Sequence, residues 1–149
     1  MVEMVSYAPL FVNENDRKWS PDAIVFNSHQ AYGISSYWVQ TFFKESSGAL
    51  LLESRLQTQT QTDSKTPRVH ASAISWMDHQ ENKNYITIKV VNYQNTTVEL
   101  NMSFKGVDPN SMHLTKQTVL TADDLQDENT FQNPTKVNIV FKKGSKYKV

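Results

Sequence analysis

The sequence predicts a mainly β chain: an antiparallel β-sandwich over the second part, with a loop-and-helix segment before it. Three observations carry this. From residue 69 onward, short runs with period-two alternation recur between polar turns, the pattern of an antiparallel sandwich. Only the stretch 35 to 48 carries the caps and spacing of a helix. Between the two parts, "LQTQTQTDSKTP" is a low-complexity Gln/Thr stretch of the kind that makes a variable surface connection.

Each element follows from local chemistry. Residues 2 to 8, "VEMVSYA", alternate loosely and are expected to form a short strand. The stretch 9 to 34 holds Pro9, Pro21, Gly33 and many turn-forming Asn, Asp and Ser residues, which predicts a long loop. Its apolar content, with Phe11, Trp19, Ile24, Val25, Phe26 and Tyr32, predicts that the loop is ordered. In the helix 35 to 48, Ser35 or Ser36 caps the first turn and Gly48 closes the end. Trp38 and Phe42, like Val39 and Phe43, are four apart, so bulky groups cover a broad face that needs a large partner. A strand-like run, "ALLLESR", follows. Strands are then expected at 69 to 77 and 85 to 93 around the turn "DHQENKN", and at 96 to 104 with Val98, Leu100, Met102 and Phe104 on one face. Two more are expected at 111 to 120 and 136 to 141.

Composition excludes several function classes. Lys+Arg and Asp+Glu are equal at 15 each, so nothing suggests a nucleic-acid partner or an anionic membrane surface. The basic tail "KKGSKYK" has no aromatic platform beside it and reads as a solvated terminus. No apolar run approaches the roughly 18 residues of a membrane span. Cysteine is absent, which removes disulfides, thiol nucleophiles and Cys-type zinc sites together. No signal peptide is visible, since Met1 is followed by Glu3 rather than a basic and then an apolar segment. Asn95 and Asn101 each open an Asn-x-Ser/Thr sequon and are the candidate glycosylation sites.

Catalytic candidates are few. His29, His70, His79 and His113 lack metal-like spacing, so no metal site is assigned. With four Gly in all there is no phosphate-cradling loop. Glu14, Asp16 and Asp22 lie in the long loop beside Asn13, Asn15, Arg17 and Trp19. Paired carboxylates near an aromatic are what glycoside hydrolysis uses, yet nothing in the sequence fixes the spacing of these in space. Asp127, Glu128 and Asn129 in "DENTFQNP" offer oxygen ligands without EF-hand spacing, so turn chemistry accounts for them.

Taken together, "SYAPLFVNENDRKWSPDAIVFNS" and "YGISSYWVQTFFKESSGA" resemble the C-terminal region of α-L-arabinofuranosidases of glycoside hydrolase family 51, the plant enzymes in particular. "VHASAISW", "ITIKVVN" and "VLTADDLQDENTFQNPTKV" resemble the same region, and the likeness covers residues 2 to about 137. The resemblance implies the last strand, loop and helix of a (β/α)8 barrel in residues 1–48. A jelly-roll-like β-sandwich would follow in 49–149, with both ends incomplete. Residues 2 to 8 would be the eighth barrel strand and 9 to 34 its loop. The resemblance also implies a retaining hydrolase that removes terminal arabinofuranosyl groups from arabinans and arabinoxylans. Its two catalytic glutamates would lie upstream of this chain, which would be inactive alone.

No residue here matches either glutamate, so no catalytic role is transferred. Because barrel enzymes work at the C-terminal ends of their strands, Asn13, Asn15 and Asp16 are the expected substrate-lining residues. No cofactor is implied. The expected partner is an arabinose-containing polysaccharide or oligosaccharide, with room for a homo-oligomer in the full-length enzyme, and the expected location is the cell wall. Two departures stand out: Ile34-Ser35 replaces the Thr-Pro usual before Ser-Tyr-Trp, and the likeness ends after Val137. The competing reading is a sandwich that binds carbohydrate without cleaving it, presented by exposed coplanar aromatics such as Trp76 and Tyr93. A purely structural sandwich that buttresses the barrel fits residues 49 onward as well.

Overall fold

The computed structural model describes residues 4–57, 69–94 and 96–143. Most of the Gln/Thr-rich connection, the end of the basic tail and the sequon residue Asn95 lie outside them. The described chain is mainly β, with eight strands, one α-helix and three single-turn 3-10 helices. It forms two compact units, one from Met1–Thr41 with Phe104–Val149, the other from Phe42–Ser103. Among the described residues, no helix is long and apolar enough to cross a membrane.

The first unit is built on a small mixed sheet. Strands β1 (Phe11–Asn13), β2 (Ile24–Phe26) and β3 (Ala31–Gly33) lie in the order β1-β2-β3. β1 and β2 run parallel, with Phe11 opposite Ile24 and Asn13 opposite Phe26. β2 and β3 are antiparallel. Their connection is an Asx turn, in which Asn27 Oδ1 accepts from the backbone N–H groups of His29 (3.0 Å) and Gln30 (2.8 Å). Val25, in the central strand, and Ala23 are fully buried.

This corrects two expectations. Residues 4–8 form no strand, and Met4 and Val5 are exposed. Loose alternation there finds no neighbour to complete a ladder, and an unpaired strand has no stability of its own. The stretch 9 to 34 is ordered, as expected, but it holds three strands rather than loop alone.

Helix α1 (Ser35–Thr41) follows directly on β3. Gly33 permits this approach, because a Cβ there would overlap the ring of Tyr37. The helix is shorter than the predicted 35 to 48. Thr41 Oγ1 donates to the Trp38 carbonyl at 2.7 Å, taking up an acceptor of the last turn, and two bulky aromatics come next. A 3-10 turn, Lys44–Ser46, continues the chain, and Gly48 turns it away at φ 73°.

The C-terminal part of the same unit is a two-stranded antiparallel ladder. β7 (Lys116–Thr121) pairs with β8 (Asn138–Lys143) from Lys116 opposite Lys143 to Thr121 opposite Asn138. The divergent segment after Val137 therefore makes a paired strand. The connection between β7 and β8 is fastened by Asn129, which is only 2% exposed. Its Oδ1 accepts from the Val137 N–H at 2.7 Å, and its amide donates to the carbonyls of Gly33 (3.0 Å) and Val137 (3.3 Å). Tyr32 meets Phe131 edge-on at 4.9 Å, and Asp127 pairs with Lys136 at 2.6 Å. These contacts bind the C-terminal connection to the β3–α1 junction.

The second unit is an antiparallel sheet of β4 (Leu50–Leu52), β5 (Val69–Asp78) and β6 (Lys83–Asn92), in the order β4-β5-β6. The β5–β6 hairpin has ten paired positions, and β-branched Val69, Ile74, Ile86, Thr87 and Ile88 suit it to the pleat. Asp78 Oδ1 caps the turn by accepting from the N–H groups of Gln80 and Glu81, and Asn82 adopts φ 53°, which asparagine tolerates well. Val69 and Ile74 are the buried apolar residues of this unit among the described residues. Ser46 accepts from Lys89 Nζ at 2.9 Å, and the same ammonium lies 4.8 Å over the Phe43 ring, so the 3-10 turn packs on this sheet.

The expected strand at 96 to 104 does not form among the described residues, where Met102 is well exposed. Its alternation is real, but no sheet edge pairs with it.

Candidate functional site

The polar turn after β1 is built around one guanidinium. Asn13 caps the 3-10 helix Glu14–Asp16, its Oδ1 accepting from the Asn15 N–H at 3.1 Å. Arg17 then folds back over the turn. Its Nη1 donates to Glu14 Oε2 (3.4 Å), its Nε to the Trp19 carbonyl (3.2 Å) and its Nη2 to Ser20 Oγ (3.1 Å). The Nε also lies 3.3 Å from Asp22 Oδ2. Asp22 is 0% exposed, and neither carboxylate oxygen accepts a hydrogen bond among the described residues, so Arg17 is its electrostatic partner.

Tyr32 of β3 belongs to the same neighbourhood. Burial pushes its hydroxyl pKa up, and the Arg17 guanidinium beside it pulls in the opposite direction. A shallow hollow lies next to this group, lined by Gln30, Ala31, Tyr32, Phe131 and Pro134.

The structure brings together Asn13, Glu14, Asn15, Asp16, Arg17 and Asp22 as one cluster at the C-terminal end of β1. Asn13, Asn15 and Asp16 are exposed, and Asp16 makes a loose pair with Lys18 at 3.5 Å. The carboxylates serve different ends: Glu14 holds Arg17, Asp22 sits beneath it, and Asp16 faces water.

In the acidic connection, Asp127 is ion-paired with Lys136. The Lys136 ammonium holds its carboxyl below the usual range, and the lysine is raised in return. Asn129 is no surface turn residue but a buried anchor, which sequence reasoning missed; its spacing to Val137 carries no signal before folding. Among the described residues, no group of three or more His, Asp or Glu side chains gathers to hold a metal.

On the second unit, Trp76 stacks on Tyr85 across the hairpin with ring centroids 5.0 Å apart, and its Nε1 donates to Thr87 Oγ1 at 2.8 Å. Glu81 accepts from Lys83 Nζ (3.0 Å) and the Tyr85 hydroxyl (2.9 Å), which lowers its pKa. Tyr93 is 67% exposed, with His70 edge-on to it at 5.8 Å. Tyr85 and Tyr93 are eight residues apart, or about 26 Å along extended chain. Trp76 and Tyr93 therefore lie near opposite ends of the hairpin and make no shared platform for a sugar ring. Asn101 is exposed.

Comparison with known proteins agrees with the sequence motifs. The α-L-arabinofuranosidase C-terminal domain family matches residues 1–149. The chain is 51% identical to α-L-arabinofuranosidase 1 of Arabidopsis thaliana over 92% of its length, and 51% identical to α-L-arabinofuranosidase 2 of the same plant over 92%. It spans only 19% of the length of each. An extracellular exo-α-L-arabinofuranosidase of Streptomyces chartreusis is 34% identical over 39% of this chain and 7% of its own length. No solved structure matches significantly. The chain belongs to the α-L-arabinofuranosidase C-terminal domain family.

Proposed function

We infer that this chain serves as the C-terminal part of an α-L-arabinofuranosidase, a retaining hydrolase that releases terminal arabinofuranosyl groups from plant cell-wall polysaccharide. The observation that carries the reading is the family match over residues 1–149, together with half identity to two enzymes of that name. A retaining mechanism needs two carboxyl groups roughly 5 to 5.5 Å apart, one as nucleophile and one as acid/base. In this reading both are glutamates in the part of the enzyme that precedes the chain. The name of the Streptomyces relative supports an extracellular setting.

The partition at residue 48 assigns 1–48 to the end of a catalytic barrel and 49–149 to a β-sandwich. Helix α1, which follows β3, supports the assignment of the first part to the end of a barrel. In such a barrel the C-terminal end of β1 is a natural position for substrate contacts, so Asn13, Asn15 and Asp16 line the glycan site. Glycosylation at Asn101 is compatible with its exposure.

The test is a chimera. Arabidopsis α-L-arabinofuranosidase 1, with its matching segment replaced by this chain, is assayed on an aryl α-L-arabinofuranoside. Turnover within about tenfold of the parent is expected, since a noncatalytic segment should exchange without removing the reacting groups. A folded, soluble chimera without turnover would count against the reading.

A further inference from the structure

We propose that Arg17 is a positioning residue for substrate recognition: anchored from below by the buried carboxylate of Asp22, it fixes the turn that carries Asn13, Asn15 and Asp16. The inference rests on the reading that this turn faces the glycan in the complete enzyme.

Three observations support it. First, a single guanidinium fastens both flanks of the turn. It donates to Glu14 on one side and to Trp19 and Ser20 on the other, so the 3-10 helix and the chain leading to β2 move as one piece. Second, Asp22 is 0% exposed yet accepts no directed hydrogen bond among the described residues. A buried carboxylate carries a desolvation penalty of several kcal/mol unless its partner is well placed. A surface turn held only for its own sake would not require that penalty, because the exposed Asx cap at Asn13 already closes it. Third, Arg17 spends its donors on protein acceptors, while Asn13, Asn15 and Asp16 are exposed, Asn13 Oδ1 accepting within the turn and Asp16 loosely paired with Lys18. Amides and a carboxylate on a braced turn suit the hydroxyls of a sugar, and binding groups of this kind lose effect when their supporting residues are loose.

Lysine at position 17 separates this role from simple stability. It keeps a positive charge for Asp22, but one ammonium cannot reproduce the planar fork that spans Glu14, Trp19 and Ser20. In the complete enzyme carrying this segment, Arg17→Lys is compared with Asn13→Ala, using an aryl α-L-arabinofuranoside and recording KM, kcat and melting temperature. The expected result is a fall in kcat/KM of about tenfold to a hundredfold, mainly through KM, for a small misplacement of binding groups. The melting temperature should stay within about 4 °C of the parent. Wild-type kinetics for Arg17→Lys beside an impaired Asn13→Ala would overturn the positioning role alone. Wild-type kinetics for both would overturn the reading that the turn meets substrate, and the inference with it. Should Arg17→Lys fail to fold, Glu14→Ala decides. It removes the exposed acceptor of Arg17 without touching Asp22. A raised KM supports the role, and an unchanged one refutes it.

Discussion

At the residue scale, Asn129 has the largest structural consequence. One side chain satisfies the N–H and C=O of Val137 and the carbonyl of Gly33, in a setting almost closed to water. Asn129→Ala leaves those groups without partners and should destabilise the chain by about 3 kcal/mol, measured by urea unfolding. A loss below about 1 kcal/mol would mean that water replaces the amide. The Asp127–Lys136 pair gives a pH signature. The aspartate's folded pKa is depressed, so its contribution is complete above the unfolded carboxylate value near 3.9 and disappears as pH falls through the folded one. The lysine's folded pKa is raised, so its contribution is complete below about 10.4 and disappears as pH rises through the folded value. The difference in melting temperature between wild type and Asp127→Asn should therefore be flat from about pH 5 to 9 and close at either extreme. A gap that persists at pH 2 would assign another role to Asp127. None of this was legible in "DENTFQNPTKV" as text. The motif reads as a string of turn formers, and only the fold brings Asn129 to Gly33, 96 positions away.

At the scale of elements, what could be read depended on whether a partner was near in sequence. The β5–β6 hairpin was plain, because two alternating runs flank a short polar turn and pair with each other. β7 and β8 were also visible as apolar runs. The run 96 to 104 alternates better than either, yet stays unpaired among the described residues, since alternation reports a face and not an edge to bind. Residues 11–13, 24–26 and 31–33 escaped notice because three-residue strands in a loop-like composition have no periodicity to detect. The helix was recognised from its caps but overestimated in length, because Thr41 turns its hydroxyl onto the Trp38 carbonyl. Gly33 was read as a loop breaker, whereas its role is spatial. Gly33→Ala should cost about 2 kcal/mol through overlap with Tyr37, and adding Tyr37→Ala should recover part of that loss. Thermal unfolding of the two variants checks this, and equal stability of Gly33→Ala and wild type would show that the ring has room to move.

At the scale of the whole molecule, composition and periodicity gave the mainly β character, while the functional assignment came from two long motifs rich in uncommon residues. The cluster around Arg17 was visible only as a list of polar residues, since an Arg–Asp pair across a turn needs coordinates to be found. Of the carboxylates in that cluster, Glu14 and Asp22 hold Arg17, while Asp16 is exposed. The measurement that meets the central claim most directly is arabinose release from an aryl α-L-arabinofuranoside by the purified chain, beside a full-length relative under the same conditions. The account predicts turnover by the relative and none by the chain. Turnover that follows the purified chain through chromatography, and is lost on mutating Glu14 or Asp16, would contradict it.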